Sequence, residues 1–334
     1  MKLILKTGIA LAVMSSVAAL SFAADQQPIV GLITKTETNP FFVKMREGAD
    51  HRAKLMGAKL LTAAGKADGD NAGQVAAIES MVAAGAKAIL ITPNDSKAII
   101  PAIKKARDAG VLVIALDSPT DPQTGTDALF ATDNYKAGVL IGQYAKAAFG
   151  GKPVHIATLD LFPGHPVGIA RHNGFLAGFG VSGITASTKD LAKADSVVCM
   201  ADSFGDQGKG QTAMENCLQK NPEINLVYTI NEPAAAGAYK ALKAAGKEKG
   251  VMIVSVDGGC QGVRDVKSGI IAATSQQYPL KMAGLGVEAG VQYARTGKKV
   301  SGYVDTGVEL ISDLKQPGVT AKDTAFGLNA CWGK

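Results

Sequence analysis

The sequence predicts an α/β fold built from two similar lobes, each a doubly wound parallel sheet. From residue 28 onwards, short apolar runs alternate with longer stretches of helical character. The apolar runs are continuously hydrophobic, which is typical of parallel strands that helices cover on both faces. The whole alternation begins again at Pro153, which indicates two lobes of similar size.

The first series of elements begins at Ile29. Its strands are predicted at residues 29–33, 59–63, 88–91, 111–116 and 129–131, and its helices at 41–56, 71–84 and 96–109. A glycine follows each helix, at Gly57, Gly85 and Gly110, as is common where a helix ends in a left-handed residue.

The second series follows a junction at about residues 132–134. Its strands are predicted at 154–159, 197–200, 226–230, 252–256 and 271–274, and its helices at 166–179, 208–220, 234–245 and 261–268. A long helix at 280–295 and a short strand at 303–306 come last. The pattern alone leaves open which lobe they complete.

Residues 1–23 have the pattern of a secretory signal peptide. Lys2 and Lys6 precede an apolar run at residues 8–20, and a small-x-small cleavage pattern ends at Ala23. The run is too short and too rich in Ala and Ser for a membrane span, and no later stretch approaches ~20 apolar residues. We therefore expect an exported chain without membrane insertion.

The charge pattern argues against a nucleic-acid partner. The formal charge of +6 falls to +4 once Lys2 and Lys6 are removed, which is a mild excess for 334 residues. The lysines are scattered among acidic residues on the predicted helices and form no basic stripe.

Four cysteines lie in the second half of a chain that its signal would send to an oxidising compartment. Of the three possible pairings we favour Cys260 with Cys331 and Cys199 with Cys217, the latter joining a strand to the next helix. Buried free thiols are the alternative. Neither a metal nor another cofactor is expected, because CxxC and HxxxH spacings are absent and the four histidines are dispersed.

The junction between the first strand and the first helix combines polar and aromatic side chains. Asn39 suits a helix N-cap and Pro40 the first helical turn. Phe41 and Phe42 follow directly, beside the crevice where open α/β sheets bind ligands. Aromatic faces next to an amide suit a sugar ring. The alternative is a capped helix with two core phenylalanines.

Short carboxylates and amides follow most of the predicted strands. Asp117 belongs to the first series, and Asn231, Asp257 and Gln277 belong to the second. Such side chains accept and donate the hydrogen bonds of vicinal hydroxyls. Two facing sets would enclose a sugar, and for these four residues we favour a binding site.

Other readings of these strand ends stay open. For Asn94, Asp95 and Asn134 we favour helix capping, since Asn and Asp are common at such positions. Asp117 and Asp257 could form a glycosidase pair if they faced each other. The sequence carries no GxSxG, HExxH or Cys–His pattern that would support catalysis.

The motifs in their order resemble those of periplasmic sugar-binding proteins of ABC importers, ribose-binding proteins in particular, whose cores also resemble lactose-repressor-type regulators. The resemblance spans the mature chain and is carried by TNPFF at 38–42, ITPNDS at 91–96, VIALD at 113–117, ATDN at 131–134, RHNG at 171–174, NE at 231–232, VDG at 256–258 and QYP at 277–279. Longer matches, such as ITKTETNPFFVKM at 33–45 and the terminal CWG at 331–333, are similar to the fructose-binding branch.

This resemblance implies a type I periplasmic binding protein with two lobes joined by a three-crossover hinge. The N-terminal lobe would comprise residues 28–132 and about 279–306, and the C-terminal lobe 133–278 and about 307–334. The family closes on one sugar and delivers it to a membrane permease. We expect a periplasmic monomer of this kind.

The resemblance also implies the site residues. Asn39, Phe41, Phe42 and Asp117 would hold the sugar from the first lobe, and Asn231, Asp257 and Gln277 from the second. Phe204 is matched, with an apparent one-residue shift, to a stacking aromatic of the second lobe.

Two arginines of the ribose pattern are missing from their matched positions. Ser118 stands after Asp117 where an arginine is usual, and Asn173 is matched to the second arginine. Arg171 could reach in instead. Because shorter side chains cannot copy a guanidinium fork, we expect a larger or differently polar pocket that suits a ketohexose.

We therefore predict a non-catalytic receptor whose ligand is fructose. Ribose, mannose, psicose or a polyol is the alternative ligand within the same role. A sugar-responsive repressor is disfavoured because a signal peptide occupies the place of a helix-turn-helix. An exported carbohydrate-modifying enzyme is the remaining rival.

Overall fold

The computed structural model describes residues 27–333, so the predicted signal peptide lies outside the described residues. The elements of the first half are β1 (Ile29–Thr34), α1 (Pro40–Leu55), β2 (Lys59–Ala64), α2 (Asn71–Ala83), β3 (Ala88–Ile91), α3 (Ile100–Asp108), β4 (Leu112–Leu116), β5 (Ala128–Ala131), α4 (Asn134–Phe149), β6 (Ile156–Asp160) and α5 (Pro166–Phe179).

The second half continues the alternation of strands and helices. Its elements are β7 (Val197–Asp202), α6 (Gln207–Lys220), β8 (Leu226–Thr229), α7 (Glu232–Ala244), β9 (Met252–Asp257), α8 (Cys260–Lys267), β10 (Ala273–Gln276), α9 (Pro279–Thr296), β11 (Gly302–Asp305), β12 (Glu309–Ile311) and α10 (Thr324–Ala330).

These strands form two six-stranded sheets, which confirms the predicted fold of two α/β lobes. The first sheet has the order β11-β5-β4-β3-β1-β2 and the second β12-β10-β9-β8-β6-β7. All neighbours pair in parallel except β12, which runs antiparallel to β10. The chain passes between the sheets three times, after β5, β10 and β11.

Helix α9 packs on the first sheet and strand β11 pairs into it, although both come late in the chain. Met282, Val287 and Val291 of α9 are fully buried in the same apolar cluster as Val30 and Leu90. Strand β11 pairs with β5 at the sheet edge. The late helix and strand, which the sequence pattern alone could not assign to a lobe, therefore complete the first lobe.

Three elements are absent from the sequence-based assignment: α4, β12 and α10. Helix α4 contains Gly138 and Gly142, which lower helix propensity. In the structure these glycines face α5, where a Cβ atom would meet the backbone at Arg171 and Phe175. The glycines that weaken the helical pattern therefore serve the packing of α4 on α5.

Both predicted disulfides are present. Cys199 of β7 is bonded to Cys217 of α6, with their Cα atoms 5.6 Å apart. Cys260, the first residue of α8, is bonded to Cys331 after α10, with their Cα atoms 4.9 Å apart. None of the described helices is long and apolar enough to cross a membrane.

Candidate ligand-binding site

A small cavity lies between the lobes, where the carboxyl ends of both sets of parallel strands meet. It encloses about 50 Å³. At roughly 10–15 Å³ for each water, this space admits a few waters but no sugar ring. Eight of the nine side chains predicted to bind the ligand line it: Asn39, Phe41, Phe42, Asp117, Arg171, Asn231, Asp257 and Gln277.

The beginning of α1 supplies the aromatic wall. Asn39 is the N-cap, and its Oδ1 accepts a hydrogen bond from the Phe41 N–H at 3.0 Å. The rings of Phe41 and Phe42 lie edge to face, with centroids 5.4 Å apart. Both rings belong to the core of the first lobe, as the capped-helix alternative expects, and both also line the cavity.

Asp117 directly follows β4 and presents a free acceptor to the cavity. Its Oδ2 accepts a hydrogen bond from the Ser118 hydroxyl at 2.9 Å. Its Oδ1 is buried and has no hydrogen-bond partner. A buried acceptor without a partner costs free energy, which a ligand hydroxyl can recover by donating to it.

Asp257 and Gln277 form the matching polar group on the second lobe. Oδ1 of Asp257 accepts hydrogen bonds from Gln277 Nε2 at 2.7 Å and from Arg171 Nη1 at 3.4 Å. Burial raises the pKa of Asp257 to about 6, although the Arg171 guanidinium opposes this. Gln277 Oε1 is a second buried acceptor without a partner.

Asn231 serves as a helix cap at the cavity wall. Its Oδ1 accepts from the Ala234 N–H at 3.1 Å, and its Nδ2 donates to the Gly205 carbonyl at 3.1 Å. The cap and the wall position are compatible, because the helix begins at the carboxyl end of its strand.

The prediction for Asn173 is not supported by its position. Asn173 turns away from the cavity and bonds the carbonyls of Thr188 and Asp190 and the Ala192 N–H. Residues two apart on a helix point in nearly opposite directions, so Arg171 enters the cavity and Asn173 cannot. Arg171 thus places a guanidinium at the cavity from the second lobe, whereas no guanidinium follows Asp117 at position 118.

Asn134 has a different role from the predicted one. Asp133, not Asn134, caps α4 by accepting from the Lys136 N–H. Asn134 Oδ1 accepts a hydrogen bond from Arg171 Nε at 2.8 Å, and the Ile230 carbonyl accepts one from Nη1 at 2.8 Å. These two bonds hold the guanidinium beside Asp257.

Backbone strain is concentrated at this cavity. Among residues 27–333, three non-glycine residues have a positive φ: Asp117 at 61°, Phe204 at 55° and Asp257 at 138°. All three line the cavity, so the sequence match for Phe204 is supported in position. Conformations of this kind cost about 1–3 kcal/mol, persist only where the surrounding structure enforces them, and are frequent at functional sites.

Sequence reasoning missed three polar residues of the cleft: Lys35, Asp68 and His165. Lys35 and Asp68 line the cavity from the first lobe. Lys35 Nζ lies 2.9 Å from Nε2 of His165, which precedes α5 on the second lobe. Lys35 directly follows β1, so the rule used for strand ends would have found it had it included basic side chains.

The charges of the cavity wall nearly balance. Asp68, Asp117 and Asp257 face it together with Lys35 and Arg171. Burial raises the pKa of Asp68 and lowers the pKa of Lys35. A neutral ligand rich in hydroxyls suits this wall, whereas an anionic ligand would meet three carboxylates.

Known proteins resemble this chain over most of its length. Residues 30–299 match the family described as periplasmic binding protein domain. The ribose import binding protein of Bacillus subtilis is 30% identical over 283 residues, covering 84% of this chain and 86% of that protein. The D-allose-binding periplasmic protein of Escherichia coli is 26% identical over 288 residues, covering 84% and 88%.

A solved structure is also similar to this chain over most of its length. It is an ABC transporter periplasmic solute-binding protein from Actinobacillus succinogenes with bound D-allose. The TM-score is 0.75 at 28% identity, and the match covers 86% of this chain and 98% of that chain.

Proposed function

Because the chain belongs to the family of periplasmic binding protein domains, we propose that it captures a monosaccharide, with D-fructose first, for the permease of an ABC importer. Relatives that cover most of the chain are named for ribose and D-allose binding, and a similar structure holds D-allose. Two of these three proteins are also named as periplasmic. Catalysis is no part of the proposed role.

The unpaired acceptors carry the proposal. Asp117 Oδ1 and Gln277 Oε1 are buried without partners on opposite lobes and belong to side chains that line one cavity. A sugar presents hydroxyl donors in several directions, so a single molecule can donate to both lobes at once. The rings of Phe41 and Phe42 offer an apolar surface to its C–H groups.

Fructose is preferred to ribose because of the sequence motifs and because of one substitution. Ser118 replaces the guanidinium expected beside Asp117, which leaves a shorter and less basic wall. The retained Arg171 keeps one guanidinium on the opposite lobe. A ketohexose carries one hydroxymethyl group more than ribose, and the short side chain at Ser118 leaves more room for it than a guanidinium would.

Closure follows from the division of the site between the lobes. A sugar entering an open cleft would first meet one set of side chains and gain the other when the lobes approach. Ligand binding favours closure because these additional contacts exist only in the closed state.

The test is a thermal-shift screen of the refolded, ligand-stripped protein against monosaccharides and polyols. A ligand that binds only the folded state raises the melting temperature. At a ligand concentration a hundred times its dissociation constant, the free energy of unfolding increases by about 2.7 kcal/mol. A selective rise with D-fructose is expected. A rise with another sugar corrects the ligand, and no rise with any compound contradicts the proposal.

Chemical recovery of the sugar separates binding from catalysis. After prolonged incubation with stoichiometric protein, D-fructose should be recovered unchanged by NMR. Conversion to another sugar would favour the rival reading of an exported carbohydrate-modifying enzyme.

A further inference from the structure

Residues 331–333 follow α10 and are held by the second lobe at two points. The Cys260–Cys331 disulfide fixes it to the first residue of α8. The Cys260 N–H also donates to the Trp332 carbonyl at 2.8 Å. The backbone of Trp332 is therefore anchored to Cys260, which lies three residues after Asp257 in the sequence.

The side chain of Trp332 leaves its own lobe and packs against the first one. It is 5% exposed and belongs to the apolar cluster that contains Phe41 and Phe42. Its ring meets the Phe41 ring edge on, with centroids 5.3 Å apart and planes at 77°. The indole thus bridges the lobes next to the cavity.

The polar edge of the same indole reaches the other side of the cavity wall. Trp332 Nε1 donates a hydrogen bond to the Gln277 carbonyl at 3.0 Å. Gln277 in turn donates from its side chain to Asp257 Oδ1 at 2.7 Å. One residue outside the cavity thereby touches a wall residue of each lobe.

We propose that Trp332, anchored by the Cys260–Cys331 disulfide, is a positioning residue for sugar binding that acts through Phe41 and Gln277. The proposal rests on the function proposed above. Separation of the lobes would draw the anchored indole away from Phe41 and expose apolar surface of both rings. The contact therefore favours the closed state, and it aligns an aromatic wall residue with a polar one when the lobes meet.

The second disulfide provides a matched control. Cys199–Cys217 joins β7 to α6 in the same lobe, and neither of its cysteines lines the cavity. The double variants Cys260→Ser/Cys331→Ser and Cys199→Ser/Cys217→Ser each remove one cross-link. Calorimetric titration, at a temperature below the melting temperatures of both variants, measures the affinity for D-fructose. D-ribose is used instead if it gives the larger thermal shift.

We expect about tenfold weaker binding when the Cys260–Cys331 bridge is removed and unchanged affinity when the Cys199–Cys217 bridge is removed. Trp332→Ala should weaken binding at least as much, and Trp332→Phe should restore part of the loss because it keeps a ring against Phe41. Equal affinity in wild type, Trp332→Ala and both double variants would overturn the inference.

Trp332 also reports on its own contact, because it is the only tryptophan of the chain. Saturation with the same sugar should shift its emission to shorter wavelengths as the indole meets Phe41, and this shift should be smaller without the Cys260–Cys331 bridge. An unchanged spectrum in a wild type that binds the sugar would overturn this inference alone. Failure of the wild type to bind any sugar would overturn the proposed function as well.

Discussion

Asp257 combines burial, a strained backbone and a charge that its surroundings only partly stabilise. Its φ of 138° lies in a backbone region that non-glycine residues rarely adopt, and its side chain is buried, with the residue 4% exposed. Burial raises its pKa because the ionised carboxylate loses hydration. The ligand-free protein therefore loses stability at this position, and a bound sugar can recover part of it.

Asp257→Asn should abolish the thermal shift caused by D-fructose while raising the melting temperature of the ligand-free protein by a few degrees. The amide removes a buried charge and still tolerates a positive φ. Differential scanning calorimetry measures both effects. Asp202→Asn is the matched control, since Asp202 ends β7 of the same sheet but does not line the cavity. A lower ligand-free melting temperature for Asp257→Asn would contradict the argument.

Sugar binding should release protons near pH 6. In the ligand-free protein the pKa of Asp257 is about 6, raised by burial, so near that pH the carboxyl is partly protonated. Hydroxyls that donate to the ionised form lower this pKa, so the affinity should rise with pH through this window. The neighbouring groups Arg171, Gln277 and Asp117 favour or oppose ionisation but do not reverse this sign.

Calorimetric titration in two buffers of different ionisation enthalpy measures the effect. We expect release of about half a proton at pH 6 and nearly none from Asp257 at pH 8. Proton uptake at pH 6 would show that the sugar prefers the protonated carboxyl.

At the scale of elements, the contact of α4 with α5 decides where Arg171 points. Glycines at 138 and 142 of α4 and at 174 and 178 of α5 allow the two backbones to touch, because a Cβ at any of them would clash with the other helix. Arg171 lies one turn before Gly174, and its guanidinium is held by Asn134 of α4. The helix pair thus carries a site residue and the residue that orients it.

Gly174→Ala should lower the free energy of unfolding by about 1–3 kcal/mol, since its Cβ would overlap the Tyr135 carbonyl. It should also weaken D-fructose binding by displacing Arg171. Gly284→Ala on α9 is the control, because no atom lies within 4 Å of its added Cβ. Removing a helix-interior glycine there should stabilise by about 0.5–1 kcal/mol. Chemical denaturation measures both, and equal effects would contradict the close-contact argument.

The sequence predicts strands and strand ends well, because buried parallel strands are continuously apolar and their ends carry polar side chains, several of which line the cavity. That Asp117, Asp257 and Gln277 lie at the cavity could therefore be predicted without the structure. The rotation of a helix within its lobe is a packing property, so the choice between Arg171 and Asn173 could not be made reliably from a motif. Trp332 was equally inaccessible, since its packing depends on where a disulfide places the end of the chain.

At the scale of the whole molecule, the cavity between the lobes is too small for a sugar unless the lobes move. It encloses about 50 Å³, and contacts such as Lys35 with His165 join its two sides. Entry of a sugar therefore requires the cleft to open, and the hinge is formed where the chain crosses between the sheets three times.

Small-angle scattering should detect this motion. The radius of gyration of ligand-stripped protein should decrease when D-fructose is added, because the sugar stabilises the closed state. The Asp257→Asn variant, which should not bind, serves as the control and should show no decrease. A ligand-stripped protein already as compact as the sugar-bound one would contradict a closing mechanism.

The late position of α9 and β11 in the chain affects the order in which the protein can fold during its synthesis. Helix α1 covers only part of one face of the first sheet, so β3 and β4 stay uncovered on that face until Met282, Val287 and Val291 of α9 have been made. The edge at β5 stays unpaired until β11 follows. A nascent chain that ends before this point cannot bury those strands. Native folding of the first lobe is thus postponed until nearly the entire polypeptide has been synthesised.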